Sequence, residues 1–203
     1  MTKHIKKVSG LSRREVLVGS AAGAGLVIGY SVLPNAVDSA SKAIAAGNWD
    51  HQQFLTMDAD GIATVHITKC EIGQHVGTAL AQAVAEELEI NWNDVRVDYP
   101  ESHAKWGLHI TGGSWSVNWT FDRNSRIGAS ARIALVEAGS KMMNASANNC
   151  YAKNSKVYSA DGRSVTYKEI LSSNTIDRTF SEEEMKAIKL KSFGEYSIVG
   201  QSK

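Results

Sequence analysis

Two short glycine-bearing segments hold the residues of this sequence best suited to chemistry. The first is Cys70-Glu71-Ile72-Gly73-Gln74-His75-Val76-Gly77-Thr78, placed between a strand pattern and a helix pattern. At a helix start the first backbone N–H groups have no partner within the helix, and the dipole there favours negative charge. The Gln74 carboxamide adds a donor and an acceptor. Taken alone, the segment reads equally well as an ordinary tight turn. The second is Thr111-Gly112-Gly113-Ser114-Trp115-Ser116, again ahead of a helix. Adjacent glycines let a backbone approach a ligand closely. The hydroxyls of Thr111, Ser114 and Ser116 can bond phosphate oxygens. The competing reading is a flexible surface loop, and Trp106, Trp115 and Trp119 argue against full exposure of it, since large aromatics bury most of their surface.

The surrounding elements must position these turns. Residues 53–58 and 62–67 alternate apolar and polar about Ala59-Asp60-Gly61, the pattern of a β-hairpin. From His75 to Ile90, the residues Val76, Leu80, Ala83, Val84, Glu87 and Leu88 fall at helical spacing. Glu86, Glu87 and Glu89 lie near the end of that helix, against its dipole, and read as a solvated face. Val95-Arg-Val-Asp-Tyr99 is the next strand. After the Gly/Ser/Trp-rich loop, a long helix runs from about Phe121 to Ala145, with Ile127, Ala131, Leu135, Ala138 and Met142 on one face. A hairpin turns at Asn154-Ser155 and the chain turns again at Asp161-Gly162-Arg163. Ser164 or Thr166 caps a short helix to Leu171, and Ser181-Glu-Glu-Glu opens another. The order β-β-α-β-loop-α-β-β-α gives an α+β domain, a mixed sheet with packed helices.

The chain has 203 residues and a formal net charge of +1. That balance points away from nucleic acid as a partner. Cys70 and Cys150 lack zinc-like spacing to other ligands. An oxidising compartment would permit a disulfide between them, and two free thiols is the preferred reading. Residues 1–41 have the layout of a secretory signal. Basic residues come first, then Arg13-Arg14, then the uncharged apolar stretch Val16 to Leu33, then the polar residues 35–41. Gly19, Gly23, Gly25 and Gly29 dilute the apolar stretch, which disfavours a stable membrane span. The paired arginines resemble a twin-arginine signal, read by machinery that exports folded proteins. A cleavage site at Ser39-Ala40-Ser41 and an uncleaved membrane tether are the two outcomes. Residues 42–190 then form the domain, and residues 191–203 read as a lead-in to a next one.

The motifs together resemble the molybdopterin-binding large subunits of the xanthine dehydrogenase and aldehyde oxidase superfamily. The likeness is strongest to the isoquinoline 1-oxidoreductase β-subunit type, which includes exported aldehyde dehydrogenases. Glu71-Ile-Gly-Gln-His-Val-Gly-Thr is similar to the family's E-M-G-Q-G-hydrophobic-x-T. Thr111-Gly-Gly-Ser-Trp-Ser matches its T-G-G-S-x-S. Ser159-Ala-Asp-Gly-Arg-Ser-Val-Thr-Tyr resembles its S-G-R-x-x-x-Y, and Tyr196-Ser-Ile-Val-Gly-Gln-Ser resembles the lead-in to its next domain. The resemblance implies a partial molybdopterin-binding domain preceded by a signal segment. It implies that Gly73, Gln74, Gly112, Gly113, Ser114 and Ser116 contact a molybdopterin cytosine dinucleotide carrying molybdenum. Ile72 replaces the usual Met. His75 replaces the second glycine of G-Q-G, and would be strained if that position has positive φ.

Family members are several times longer, and their catalytic glutamate comes from sequence beyond residue 203. Glu71, Glu86, Glu87 and His109 are bases by residue type only, so no catalytic residue and no metal ligand is assigned here. The resemblance implies a split subunit or a truncated, inactive product, sharing its cofactor with missing domains. It also implies partners: the remainder of the large subunit, an iron–sulfur small subunit, a cytochrome c electron acceptor and the twin-arginine export machinery. Periplasmic localisation follows from the same reading. The alternatives are an exported, non-catalytic module binding a small ligand, and a membrane-tethered assembly factor.

Overall fold

A computed structural model of the chain describes residues 26–29, 53–107, 109–173 and 176–201. The expected hairpin forms from β2 (Gln53–Met57) and β3 (Ala63–His66), paired Leu55 to Val65 and Thr56 to Thr64. Its turn is built as its residues dictate. The Asp58 carboxylate accepts the N–H of Asp60 and Ile62 at 2.9 and 3.0 Å, and Gly61 takes the left-handed φ of 83°.

Helix α1 (Val76–Leu88) then carries the chain to β4 (Val95–Asp98), which lies parallel to β3. Parallel neighbours need such a crossover. Strand β1 (Leu26–Gly29) pairs antiparallel with β2 on one side and parallel with the two-residue β8 (Ile176–Asp177) on the other. The five-stranded sheet therefore runs β4-β3-β2-β1-β8. The rest of the proposed signal, and the junction around residues 39–41, lie outside the described residues.

The long helix α2 spans Ser116–Met142, starting earlier than Phe121 and ending before Ala145. Its start directly follows the second glycine turn, so residues assigned to the loop belong to the first helical turn. Its end is set by Asn144 in the left-handed region at φ 50°, with the N–H of Met143 and Ala145 closing on Gly139 and Ser140. Ile127, Ala131 and Leu135 are buried as expected, whereas Met142, beyond the edge of the core, is 42% exposed. Helices α1 and α2 pack backbone against backbone at Gly128, where a Cβ would collide with the Val84 carbonyl oxygen.

A second sheet is formed by β5 (Cys150–Lys153), β6 (Lys156–Ser159) and β7 (Ser164–Thr166). Asn154 and Ser155, at φ 49° and 59°, make the left-handed two-residue turn of the expected hairpin. The helix expected from Ser164 begins three residues later, as α3 (Tyr167–Ser173). Val165 pairs with Val157 in the sheet, and Thr166 is the cap: its hydroxyl accepts the Glu169 N–H at 3.1 Å. Helix α4 (Glu182–Ala187) has the expected Ser181 cap, with Glu184 bonding back to the Ser181 N–H. Both cysteines are free, Cys70 exposed and Cys150 half-buried. Among the described residues no helix is long and apolar enough to cross a membrane.

One expectation fails clearly. Glu86 and Glu87 are not a solvated face; each is 1% exposed. The segment after α4 returns over the end of α1 and brings Lys191 and backbone amides onto both carboxylates. Helical periodicity places the two residues correctly, but it carries no sign of that distant covering segment.

Candidate functional site

The two glycine-bearing turns meet. Beyond β3 the chain stays buried through Thr68 and Lys69 and surfaces at Cys70. The Cys70 N–H donates to the Thr111 hydroxyl at 2.7 Å, and the Lys69 ammonium donates to the Ile110 carbonyl at 3.0 Å. These bonds clamp the starts of the two turns together, close in sequence to Gln74 on one side and Ser114 on the other.

In the first turn the negative charge at the helix start comes from the chain itself. The Glu71 carboxylate accepts the N–H groups of Gly73 and His75 at 2.8 and 2.9 Å, and the Tyr99 hydroxyl at 3.3 Å. Desolvation pushes the Glu71 carboxyl upward, but the amides of His75, Gly73 and Gly77 with the Tyr99 hydroxyl outweigh it and hold it below the usual carboxylate range. Tyr99 is pushed up in turn, first by its own partial burial and then by the Glu71 charge. Gln74 braces the same turn: its carbonyl accepts the Ile72 N–H at 2.7 Å and its amide donates to the Cys70 carbonyl at 3.0 Å. His75 is the cap residue of α1 at φ 60°, with no side-chain cap bond. A Cβ at Gly77 would collide with the Tyr99 hydroxyl, so glycine there lets α1 sit close to β4. By residue type Glu71 is only a candidate base; the sequence signal for its place in the turn is an acid just before a helix start.

The second turn is more open. Gly113 and Ser114 are left-handed at φ 61° and 59°, and Trp115 is right-handed at φ −105°. The Trp115 N–H closes the turn on the Gly112 carbonyl at 3.3 Å, and Gly112, Gly113 and Ser114 are exposed around it. The first amides of α2 follow directly, and they lack partners within the helix. A Cβ on Gly112 or Gly73 would meet nothing within 4 Å. Ser114 is exposed and Ser116 half-buried. The tryptophans depart from expectation. Trp106 is half-buried against Phe54, but Trp115 and Trp119 are 51% and 58% exposed, their rings 4.4 Å apart on the first turn of α2. Ile72 and Ile110, on the neighbouring loops, are exposed as well.

Positive charge lies beneath the turns. Lys69 is 6% exposed, and the Arg123 guanidinium sits 4.2 Å from the centre of the Phe54 ring. Burial pushes both below their ordinary values, and Arg123 pushes Lys69 further. Among the described residues neither has a carboxylate partner. Arg123 Nε, Asn124 Nδ2 and His109 Nε2 are buried without a hydrogen-bond partner in the same region of sequence. Exposed turn amides, two serine hydroxyls, the buried Lys69 and the half-buried Arg123 fit an anionic, phosphate-bearing ligand. The candidate bases offer less. Glu71 is committed to its turn, His109 is partly enclosed, and Glu86 and Glu87 lie at the other end of α1.

Residues 4–201 match the family model of the molybdopterin cofactor-binding domain. A membrane-bound aldehyde dehydrogenase [pyrroloquinoline-quinone] of Gluconacetobacter polyoxogenes is 34% identical over 200 residues, covering 97% of this chain and 26% of that protein. The isoquinoline 1-oxidoreductase subunit beta of Brevundimonas diminuta is 30% identical over 178 residues, covering 84% of this chain and 23% of that protein. Among solved structures, a CO dehydrogenase from Oligotropha carboxidovorans superposes with a TM-score of 0.50 at 16% identity, over 59% of this chain and 15% of that one. That likeness concerns the fold alone. The chain thus spans about a quarter of the length of the curated relatives it matches.

Proposed function

The chain belongs to the molybdopterin cofactor-binding domain family, and from that premise we propose that it forms one wall of the cofactor site in a molybdenum hydroxylase large subunit oxidising aldehydes or N-heterocycles. The observation that carries the reading is the Cys70–Thr111 hydrogen bond, which brings the Gly73-Gln74 turn and the Gly112–Ser116 turn to one place.

When bound, the cofactor supplies the redox chemistry of the oxidation. This chain supplies position and charge. The amides of Gly112, Gly113 and Ser114, with the Ser114 and Ser116 hydroxyls, would hold the phosphates of the cytosine dinucleotide form of molybdopterin. Lys69 and Arg123 balance its charge from below. Gly73 gives close approach at the first turn, and Gln74 keeps that turn in shape. Glu71 occupies the α1 terminus and directs the phosphates to the α2 side by repulsion.

The remaining walls of the site come from the part of the large subunit corresponding to the other three quarters of the relatives. By this reading the partners are an iron–sulfur small subunit and a cytochrome c, which would serve as electron acceptors. The twin-arginine signal exports the loaded, folded protein to the periplasm.

The test uses the complete large subunit. Thr111→Val removes the hydroxyl joining the turns and should lower bound molybdenum and pterin severalfold, by elemental analysis and mass spectrometry, with circular dichroism unchanged. Unchanged cofactor content would refute the role of the paired turns. Recovery of pyrroloquinoline quinone in place of a pterin would refute the assigned cofactor.

A further inference from the structure

Strand β1 comes from the apolar stretch that the export reading assigns to the signal. Its backbone is committed on both sides. Leu26, Val27 and Ile28 stand opposite Met57, Thr56 and Leu55 of β2, and Leu26 and Val27 stand opposite Ile176 and Asp177 of β8. Helix α2 packs across β1 as it does across β2. The strand is therefore an interior member of the sheet, not an appendage at its edge. The family model also extends across it, starting at residue 4.

We propose that this segment is an intramolecular mask: while Leu26–Gly29 is paired between β2 and β8, the export signal cannot be used. The inference rests on the export reading above. A signal must present its apolar stretch to a receptor or to lipid as one accessible length. Backbone groups already bonded to two neighbouring strands cannot do so, and a short piece of sheet cannot enter the hydrocarbon region of a bilayer. Withdrawal leaves β2 with an open edge and β8 without its strand partner, a state that favours re-pairing. Release therefore requires another extended segment, antiparallel to β2, to take the vacated place. Export would then follow assembly of the sheet with that segment and would fail for the chain alone.

The test is a reversible tether in the full chain. Val27→Cys with Thr56→Cys, in a Cys70→Ser, Cys150→Ser background, places thiols at register partners of β1 and β2. A control pair, Thr56→Cys with Thr64→Cys, ties β2 to β3 and leaves the leader alone. Both are oxidised and offered to inverted membrane vesicles bearing the twin-arginine machinery, together with the segments that complete the subunit. The expected result is a β1–β2 cross-link in the folded precursor, translocation slowed at least tenfold, and recovery on reduction, with the control unaffected. No cross-link in a folded precursor, or equal translocation of its oxidised and reduced forms, would overturn the mask. If the reduced chain is not translocated, and Arg13→Lys with Arg14→Lys changes nothing, the export reading has failed and the mask falls with it. The cross-link yield then still reports the strand separately.

Discussion

The Glu86 carboxylate accepts the backbone N–H of Ile198 at 2.6 Å, joining the end of α1 to a residue more than a hundred positions away. The same carboxylate takes the N–H of Ser197 and Val199 at 2.9 and 3.0 Å and the Lys191 ammonium at 3.0 Å. Lys191 reaches Glu89 at 2.6 Å as well, and its own N–H bonds Glu87 at 2.8 Å. Residues 191–199 are thus belted onto α1 by charge-assisted hydrogen bonds.

Removing the belt's centre should be costly. Glu86→Ala leaves three amides without their acceptor and strands part of the Lys191 charge, an expected loss of about 3 kcal/mol of stability. Glu86→Gln keeps one carbonyl acceptor and should lose less. Urea denaturation of the two variants beside the parent checks both the size and the order.

The two neighbouring glutamates should respond to pH in opposite senses. Burial pushes Glu86 up, but the amides of Ile198 and Val199 and the Lys191 ammonium outweigh it and hold it below the usual range. A depressed folded value gives stability that is present above the unfolded value, about 4.3, and is lost as pH falls through the folded value. Burial dominates at Glu87 and leaves it raised, despite the Lys191 amide and the Arg132 charge, with Glu86 pushing it further. Stability from that group declines as pH rises through its folded value. The urea midpoint against pH should therefore fall at the acid end in the parent. Glu86→Gln should flatten that acid limb, and Glu87→Gln should remove the decline above it. An acid limb unchanged by Glu86→Gln would show that the belt does not depend on this charge.

Much of the fold was legible because it is local. The Asp58–Gly61 turn, the Asn154-Ser155 turn and the Ser181 cap each follow from a few adjacent residues. The pairing of the two glycine turns was legible through motif order, since neither turn alone exceeds an ordinary loop. What stayed hidden is long-range. Nothing within α1 announces that Ser197–Val199 will cover Glu86. Nothing in the apolar composition of Leu26–Gly29 distinguishes a signal from an interior strand, since both call for uncharged residues. The Trp115–Trp119 pair misled in the other direction: the two rings lie against each other, 4.4 Å apart, and stay outside the core, which residue type alone does not reveal.

His75 stands at φ 60°, and its side chain makes no cap bond. An L-residue in that region carries a cost of about 1 kcal/mol that glycine avoids. His75→Gly should therefore raise stability by about 0.5–1 kcal/mol, part of the gain being offset by the entropy of an added glycine. Thermal denaturation reads the change. An unchanged or lowered midpoint would mean that the imidazole contributes a contact that offsets the strain.

Gly128 tests the opposite kind of glycine, one whose φ is ordinary and whose value lies in having no side chain. A Cβ there would collide with the Val84 carbonyl oxygen and press on Glu87. The carbonyl belongs to the backbone of α1 and cannot turn aside, so the helices must separate. Gly128→Ala would gain about 1 kcal/mol in helix propensity in a free helix. Here overpacking, up to about 3 kcal/mol, should exceed that gain and destabilise the protein. The separation would also strain the Arg132–Glu87 pair that links the two helices at 3.5 Å. Hydrogen exchange should then rise along the facing turns of α1 and α2 but not in the β5–β6–β7 sheet. A stabilised Gly128→Ala would show that α1 and α2 do not approach at this point.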